Sequence, residues 1–233
     1  MLAEDPDRWD RVICLNSTPN GNATSAIASA FIVSYGEKLL IVTAAHAAKQ
    51  THQRTRLLFR SIDGTPQWVN LGLLTGKNQD PWIRHKNSDI ATAKIVAEKK
   101  NAPYLTQLNE IAIPLEDVLV TPVERTTKIE SVGFPLGLGL QEQVSPIVVV
   151  GHVASKEILT TNDWGSEPLI YSYPDLAQGT SGGPTFLSEM DAKSTKVVGM
   201  HVAVIYDASG GKLSKLIPSR IIREAIVARC EDE

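Results

Sequence analysis

The stretch that decides the fold is Gln178-Gly179-Thr180-Ser181-Gly182-Gly183-Pro184, in which one serine stands among three glycines. Glycine adopts backbone conformations that other residues avoid, so a glycine-rich chain can turn sharply and point several amide groups to one side. A serine held in such a turn can present its hydroxyl as a nucleophile beside those amide donors. The segment therefore predicts a nucleophile and an anion-stabilising loop at one place.

Two known arrangements of a catalytic serine fit this segment, and the positions of the partner residues distinguish them. The run from Gly179 to Gly183 also matches the G-x-S-x-G turn of α/β-hydrolases, in which an acid and then a histidine follow the serine. Here both candidate partners, His46 and Asp89, precede Ser181 in the chain. The order histidine, aspartate, serine is the one found in chymotrypsin-like enzymes.

The chain resembles the trypsin/chymotrypsin-fold serine peptidases, and most closely their HtrA-like bacterial branch. The run from Ser25 to Val33, followed by the run from Leu39 to His46, is similar to the hairpin that carries the histidine in that family. Residues 197–202 are similar to the strand that lines the substrate groove. The resemblance covers roughly residues 25–218. It implies an endopeptidase that cleaves an extended peptide or protein through an acyl-enzyme.

The resemblance also implies a role for each residue of the motifs. Ser181 is expected to be the nucleophile, His46 its general base, and Asp89 the group that holds the histidine in the required tautomer. The backbone amides of Gly179 and Ser181 are expected to form the oxyanion hole, each donor being worth about 3 kcal/mol to the barrier. Digestive members carry aspartate at the position of Thr180, where it pairs with a new N-terminus. Zymogen cleavage is therefore not expected here, and local contacts or a regulatory protein partner must order the loop.

The predicted pocket residues indicate different preferences for the substrate residue on the N-terminal side of the cleaved bond. Asp175 stands where trypsin-like enzymes bind a basic side chain, whereas His201 stands where glutamyl endopeptidases and picornaviral 3C-like enzymes recognise Glu or Gln. Those relatives also use Thr or Ser where this chain has Leu176. A third alternative is a pocket that selects by shape, with Asp175 an exposed turn residue and His201 a core histidine. The predicted pocket comprises Asp175, Gln178, His201, Val202, Ala203 and Val204.

A second function fits the same residues. The chain could keep the protease fold and capture an extended peptide by strand addition along residues 202–204 without turnover. The presence of all three catalytic residue types favours the endopeptidase. Latent members of such families, however, keep these residues with a collapsed oxyanion loop, so the sequence fits both functions.

Charge and hydropathy exclude other classes of function. The chain has 233 residues and a net charge of −3, whereas nucleic-acid-binding domains usually carry a basic excess. No apolar run is long enough to span a bilayer, and the acidic start of the chain does not match a signal peptide. The sequence therefore predicts a cytoplasmic protein that contacts neither nucleic acid nor membrane.

The histidines and cysteines outside the motifs predict no cofactor. His52, His85 and His152 lack the spacing of metal ligands, so neither a metal nor another cofactor is expected. Cys14 and Cys230 lie near opposite ends of the chain and are predicted to be free, buried thiols rather than a disulfide.

Many short β-branched runs separated by Gly, Pro, Asn and Asp predict an all-β protein. The family resemblance selects two antiparallel six-stranded β-barrels of the chymotrypsin type with a C-terminal helix. Pro114 and Pro122 interrupt strand pairing, so the boundary between the barrels is placed between them. The predicted units are an N-terminal tail of residues 1–12, a first barrel of 13–117, a second barrel of 118–217 and a C-terminal helix of 218–233.

Overall fold

The structure is a computed structural model that describes residues 6–17, 26–61, 63–76, 80–140, 143–162 and 165–231. The first five residues of the predicted tail, Ser25 of the hairpin motif and the last two residues of the predicted helix lie outside the described residues. Within these ranges the chain is mostly β, with two β-sheets and a C-terminal helix. The all-β prediction and the predicted terminal helix are confirmed at this level.

The first sheet contains eight strands within the described ranges. They are Val12–Ser17 (β1), Ala26–Tyr35 (β2), Lys38–Thr43 (β3), Arg56–Arg60 (β4), Pro66–Asn70 (β5), Trp82–Arg84 (β6), Ala91–Lys94 (β7) and Ile113–Pro114 (β8). Their order is β5-β4-β1-β2-β3-β7-β6, with β8 paired parallel to β2. Three helices accompany this sheet: Ala45–Ala48 (α1), Leu71–Thr75 (α2) and Ala102–Glu110 (α3).

The second sheet contains seven strands in the part of the chain that is described. They are Lys128–Gly133 (β9), Ile147–Val153 (β10), Ile158–Asn162 (β11), Gly165–Tyr173 (β12), Pro184–Leu187 (β13), Val197–Tyr206 (β14) and Lys212–Pro218 (β15). Their order is β10-β9-β13-β14-β15-β12-β11, and β10 also pairs with β12. The final helix, Ser219–Glu231 (α4), follows β15 directly.

Both faces of strand β2 are buried, which explains why polar and apolar residues do not alternate along it. Phe31 and Val33 belong to one core cluster, whereas Ala30 and Ile32 belong to another, so side chains from both faces of the strand are buried. A strand covered on both faces loses the alternation of polar and apolar residues. The first of these clusters also contains Phe186 of β13 and residues of α4, so the two sheets share one core.

The residues before β1 are attached to the second sheet by a buried charge. Arg8 lies in a 3-10 helix, Arg8–Arg11, and is only 1% exposed. Its Nε donates to Glu130 Oε2 at 2.9 Å, and Trp9 Nε1 donates to the same oxygen at 2.7 Å. Separating Arg8 from Glu130 would leave a buried charge without its partner, which is costly. The contact therefore holds the start of the chain on β9.

Cys14 and Cys230 are both buried, and neither takes part in a disulfide, as predicted. Burial raises the pKa of the Cys14 thiol to about 12, so this group remains a protonated thiol at neutral pH. Among the described helices, none combines the length and the hydrophobicity needed to cross a bilayer.

Candidate active site

Strand pairing brings His46 and Asp89 together. Thr43 at the end of β3 pairs with Ala91 at the start of β7. The residues after β3 and before β7 therefore meet at the same edge of the first sheet. Asp89 Oδ2 lies 2.5 Å from His46 Nδ1, and Asp89 Oδ1 accepts a hydrogen bond from the His46 backbone N–H at 2.9 Å. Because the carboxylate accepts the Nδ1 proton, the unprotonated nitrogen of a neutral His46 is Nε2.

The loop that carries Ser181 requires its glycines. Gly179 has φ of +99° and Gly182 has φ of +84°, in a region that side chains disfavour. A Cβ atom on Gly182 would lie 2.1 Å from the Ser29 carbonyl oxygen, and one on Gly179 would lie 2.4 Å from the Phe134 oxygen. The two glycines therefore permit a backbone path that any larger residue would displace.

The orientation of the Gln178–Gly179 peptide is set by a neighbouring loop. The Gln178 carbonyl accepts a hydrogen bond from Leu136 N at 2.6 Å, and the Gly179 carbonyl accepts one from Ser29 Oγ at 2.8 Å. In a trans peptide the carbonyl and the following N–H point in opposite directions, so the Gly179 N–H points away from Leu136. Neither this N–H nor that of Ser181 donates a hydrogen bond within the described ranges.

The hydroxyl of Ser181 makes a contact that the sequence did not predict. Its Oγ donates to the Val202 carbonyl at 3.2 Å, and no hydrogen bond joins Ser181 to His46 in the described structure. Val202 is free to accept because the β14–β15 pairing shifts register between His201 and Ala203. The Ser181 hydroxyl must therefore release Val202 before its proton can pass to the histidine, and catalytic hydrogen bonds are often unformed in unliganded sites.

A buried histidine, His201, contacts the nucleophile loop through Thr180. Thr180 Oγ1 donates to the Ala177 carbonyl at 2.6 Å and lies 3.1 Å from His201 Nδ1. A hydroxyl has one proton, so Nδ1 of His201 must be the donor in the second bond. His201 is only 2% exposed, and this burial lowers its pKa to about 4. It is therefore neutral at pH 7.

All six predicted pocket residues line one cavity together with His46 and Ser181. Asp175 lies at its rim, with a side chain that is 37% exposed and an Oδ2 atom 3.7 Å from Lys212 Nζ. Asp175 is therefore neither deeply buried nor unpaired. A second cavity is also lined by His46, Gln178 and Ser181, and by Gly179 in addition.

Two residues that contribute to this site, Ser29 and Leu136, were not predicted from the sequence. Ser29 Oγ accepts from Phe134 N at 3.0 Å while donating to Gly179, so this buried hydroxyl joins β2 to the nucleophile loop. A serine with apolar neighbours inside a buried strand was the available signal. Leu136 has φ of +52° and supplies the N–H that orients Gln178, but nothing in its residue type indicates this. The described side chains include no cluster of three or more His, Cys, Asp and Glu that could bind a metal.

Three solved structures illustrate what the fold is similar to. The MamO protease domain from Magnetospirillum magneticum, in its apo form, matches with a TM-score of 0.62 at 15% identity, over 94% of this chain and 96% of that one. The HtrA-type protease AlgW with a tripeptide matches with a TM-score of 0.62 at 18% identity, over 96% of this chain and 61% of AlgW. The active form of the Rv3671c protease from M. tuberculosis matches with a TM-score of 0.60 at 13% identity, over 94% and 81%.

No protein-family model matches the sequence, and no curated protein does. At identities this low, similarity of structure shows the fold and not the activity. The structure nevertheless aligns over at least 94% of this chain with each of these three proteases. The chain has the trypsin-like fold of the HtrA-type serine proteases.

Proposed function

We propose that this protein is a serine endopeptidase in which Ser181, His46 and Asp89 form the catalytic triad. The observation that carries the proposal is the His46–Asp89 pair, joined by two hydrogen bonds at a cavity that Ser181 also lines. A carboxylate in this position keeps the Nε2 lone pair of His46 available and stabilises the imidazolium that forms during reaction. The serine protease neighbours support a hydrolase of this kind.

The reaction begins when the Ser181 side chain turns from Val202 toward His46. His46 Nε2 accepts the hydroxyl proton as Oγ attacks the peptide carbonyl, and the negative charge develops on the carbonyl oxygen. The amides of Gly179 and Ser181 would bind that oxygen, since both are without a protein acceptor among the described residues. His46 then protonates the leaving amine, and water hydrolyses the resulting acyl-enzyme by the same steps.

The pocket is proposed to bind an uncharged side chain by shape. Asp175 is paired with Lys212 at the rim, so it provides no unpaired carboxylate for a basic residue. His201 is neutral at pH 7 and carries no charge for an acidic residue. The substrate backbone would pair with residues 202–204, and Gln178 would line the wall beside the cleaved bond.

We place two six-stranded barrels at residues 13–117 and 118–217, after a tail of 1–12 and before a helix of 218–233. The β10–β12 pairing supports this count in the second unit, because it links β9, β10, β12, β15, β14 and β13 in a ring. An extended peptide or protein is the expected partner. A regulatory protein, a cytoplasmic location and the absence of nucleic-acid and membrane contacts stay predictions.

Covalent labelling by a fluorophosphonate tests the proposed function. The wild-type protein should be labelled at Ser181, and Ser181→Ala should abolish labelling while leaving the thermal midpoint unchanged, since no core volume is removed. The second candidate function, a latent peptide-binding module, is favoured by the Ser181–Val202 hydrogen bond. It predicts peptide binding without labelling of the wild type. Labelling that survives in Ser181→Ala would reject the triad.

A further inference from the structure

The hairpin formed by β11 and β12 of the second sheet lies against the loop that carries Asp89. A Cβ atom on Gly165, at the start of β12, would lie 4.0 Å from Asn87 Oδ1. Two residues further along β12, Glu167 is only 2% exposed, and its Oε1 accepts a hydrogen bond from the Asp89 backbone N–H at 2.6 Å. A side chain of the second sheet therefore contacts the backbone of a residue in the proposed triad.

The other hydrogen bonds of Asp89 show what this contact adds. Its two carboxylate oxygens bind the backbone N–H and the ring of His46, and its carbonyl accepts from Ala45 N at 3.2 Å. All three bonds connect Asp89 to α1, so Asp89 and His46 form one unit attached to the first sheet. The fourth bond, from Asp89 N to Glu167, connects that unit to the second sheet. Ser181 belongs to the second sheet.

The geometry of the reaction makes this connection important. His46 and Ser181 come from different sheets, and proton transfer requires them to approach within about 3 Å. A displacement of about 1 Å at a reacting group can reduce turnover roughly 100-fold. A buried acceptor that holds the Asp89 loop against the second sheet therefore limits how far His46 can move from Ser181.

We propose that Glu167 is a positioning residue for the triad: its carboxyl oxygen holds the Asp89 loop against the second sheet and so keeps His46 within reach of Ser181. This inference rests on the proposed function. Glu167 does not touch the substrate or the reacting atoms, and it acts through the Asp89 peptide. Its loss should therefore slow acylation without weakening substrate binding.

The test compares Glu167→Ala, which removes the acceptor, with Glu167→Gln, which keeps an acceptor oxygen of the same length. Glu167→Ala should lower kcat about 10- to 100-fold while KM changes less than about 3-fold, and Glu167→Gln should retain most of the activity. Ser166→Ala, an exposed change on the same strand, is the matched control. In the Ser181→Ala background, Glu167→Ala should bind a peptide substrate as tightly as its parent.

Several outcomes would overturn the assignment. A folded Glu167→Ala variant with wild-type kcat, an equal loss in kcat and in peptide affinity, or a Glu167→Gln variant as impaired as Glu167→Ala would each reject it. If Glu167→Ala does not fold, Glu167→Asp replaces it, since the shorter side chain cannot reach Asp89 N without moving the loop. Full activity of Glu167→Asp would then be the rejecting result.

The proposed function can fail separately from this inference. If the wild type is not labelled by a fluorophosphonate, kinetics are uninformative, and hydrogen exchange of the Asp89 backbone N–H, which donates to Glu167, is followed by NMR instead. That proton should exchange slowly with solvent in the wild type and in Glu167→Gln, and about 10-fold or more faster in Glu167→Ala. Unchanged exchange in Glu167→Ala would show that Glu167 does not hold the Asp89 loop.

Discussion

The two halves of the site differ in how completely the fold assembles them. On the first sheet, His46 and Asp89 are joined by two hydrogen bonds, one to each oxygen of the Asp89 carboxylate. On the second sheet, the backbone around Ser181 is equally constrained, yet its hydroxyl binds the Val202 carbonyl rather than the histidine. A buried carboxylate is expensive to leave without hydrogen-bond donors and is therefore bonded to His46 in the resting protein, whereas a serine rotamer costs little to change.

The largest loss of activity is expected when Asp89, the partner of His46, is changed. In Asp89→Asn, the amide oxygen can still accept from the His46 backbone N–H, which turns the amide NH2 toward Nδ1. His46 is then held in the wrong tautomer, and kcat should fall on the order of 10⁴-fold. Steady-state kinetics with one short peptide measures this. A loss below about 10-fold would show that Asp89 does not orient the base.

The second-largest loss of activity is expected at Gly179, in the loop that carries Ser181. Gly179→Ala should lower kcat about 10²- to 10³-fold, the value of one oxyanion donor. The added Cβ would lie 2.4 Å from the Phe134 oxygen, so the Gln178–Gly179 peptide must turn. Peptide affinity, measured in the Ser181→Ala background, should change far less. Equal losses in affinity and in kcat would instead indicate general disruption of the loop.

A smaller effect concerns the histidine beneath the nucleophile loop. Burial lowers the pKa of His201 to about 4, below the ordinary value of 6.5. The unfolded chain therefore binds the proton more readily, so the stabilising contribution is complete above pH 6.5 and is lost as the pH falls toward 4. Between pH 7.5 and pH 5 this should remove about 2 kcal/mol from the free energy of unfolding.

Denaturant titrations of the wild type and of His201→Gln at both pH values check this prediction. The variant should lose about 2 kcal/mol less stability than the wild type over the same interval. Identical losses in the two proteins would show that His201 is not the group that titrates.

The smallest effect is expected at the rim of the pocket. Asp175 is partly exposed and paired with Lys212, and such pairs contribute about 0–1 kcal/mol. Asp175→Ala should therefore leave the preference for uncharged side chains before the cleaved bond unchanged in a peptide library. Cleavage after Arg and Lys by the wild type, lost in the variant, would restore the basic pocket that the sequence position of Asp175 indicates.

The order of the catalytic residue types and the glycines near Ser181 made much of the fold and of the candidate site predictable. Two glycines beside Ser181 have positive φ, and the apolar runs before His46 and after Asp89 became the paired strands β3 and β7. The strand pattern and the spacing in the C-terminal helix were local signals, so an all-β chain ending in a helix could be read directly from them. The six residues of the proposed pocket also line one cavity.

Contacts between distant segments were not predictable in the same way. The bonds from Ser29 to Gly179, from Leu136 to Gln178 and from Glu167 to Asp89 each join residues far apart in the chain. Arg8, in a segment predicted to be a tail, is buried against Glu130. Nothing local distinguishes these side chains from others of their type, because their partners are chosen by how the two sheets pack.

By itself, the sequence determined which residue types could perform the chemistry and where the chain had to turn, since both depend on side-chain identity and local backbone preference. Only the tertiary structure decided the protonation state of His201, the pairing of Asp175 with Lys212 and the resting direction of the Ser181 hydroxyl. Burial and the distance to a partner set those properties, and both arise only when the sheets are packed together.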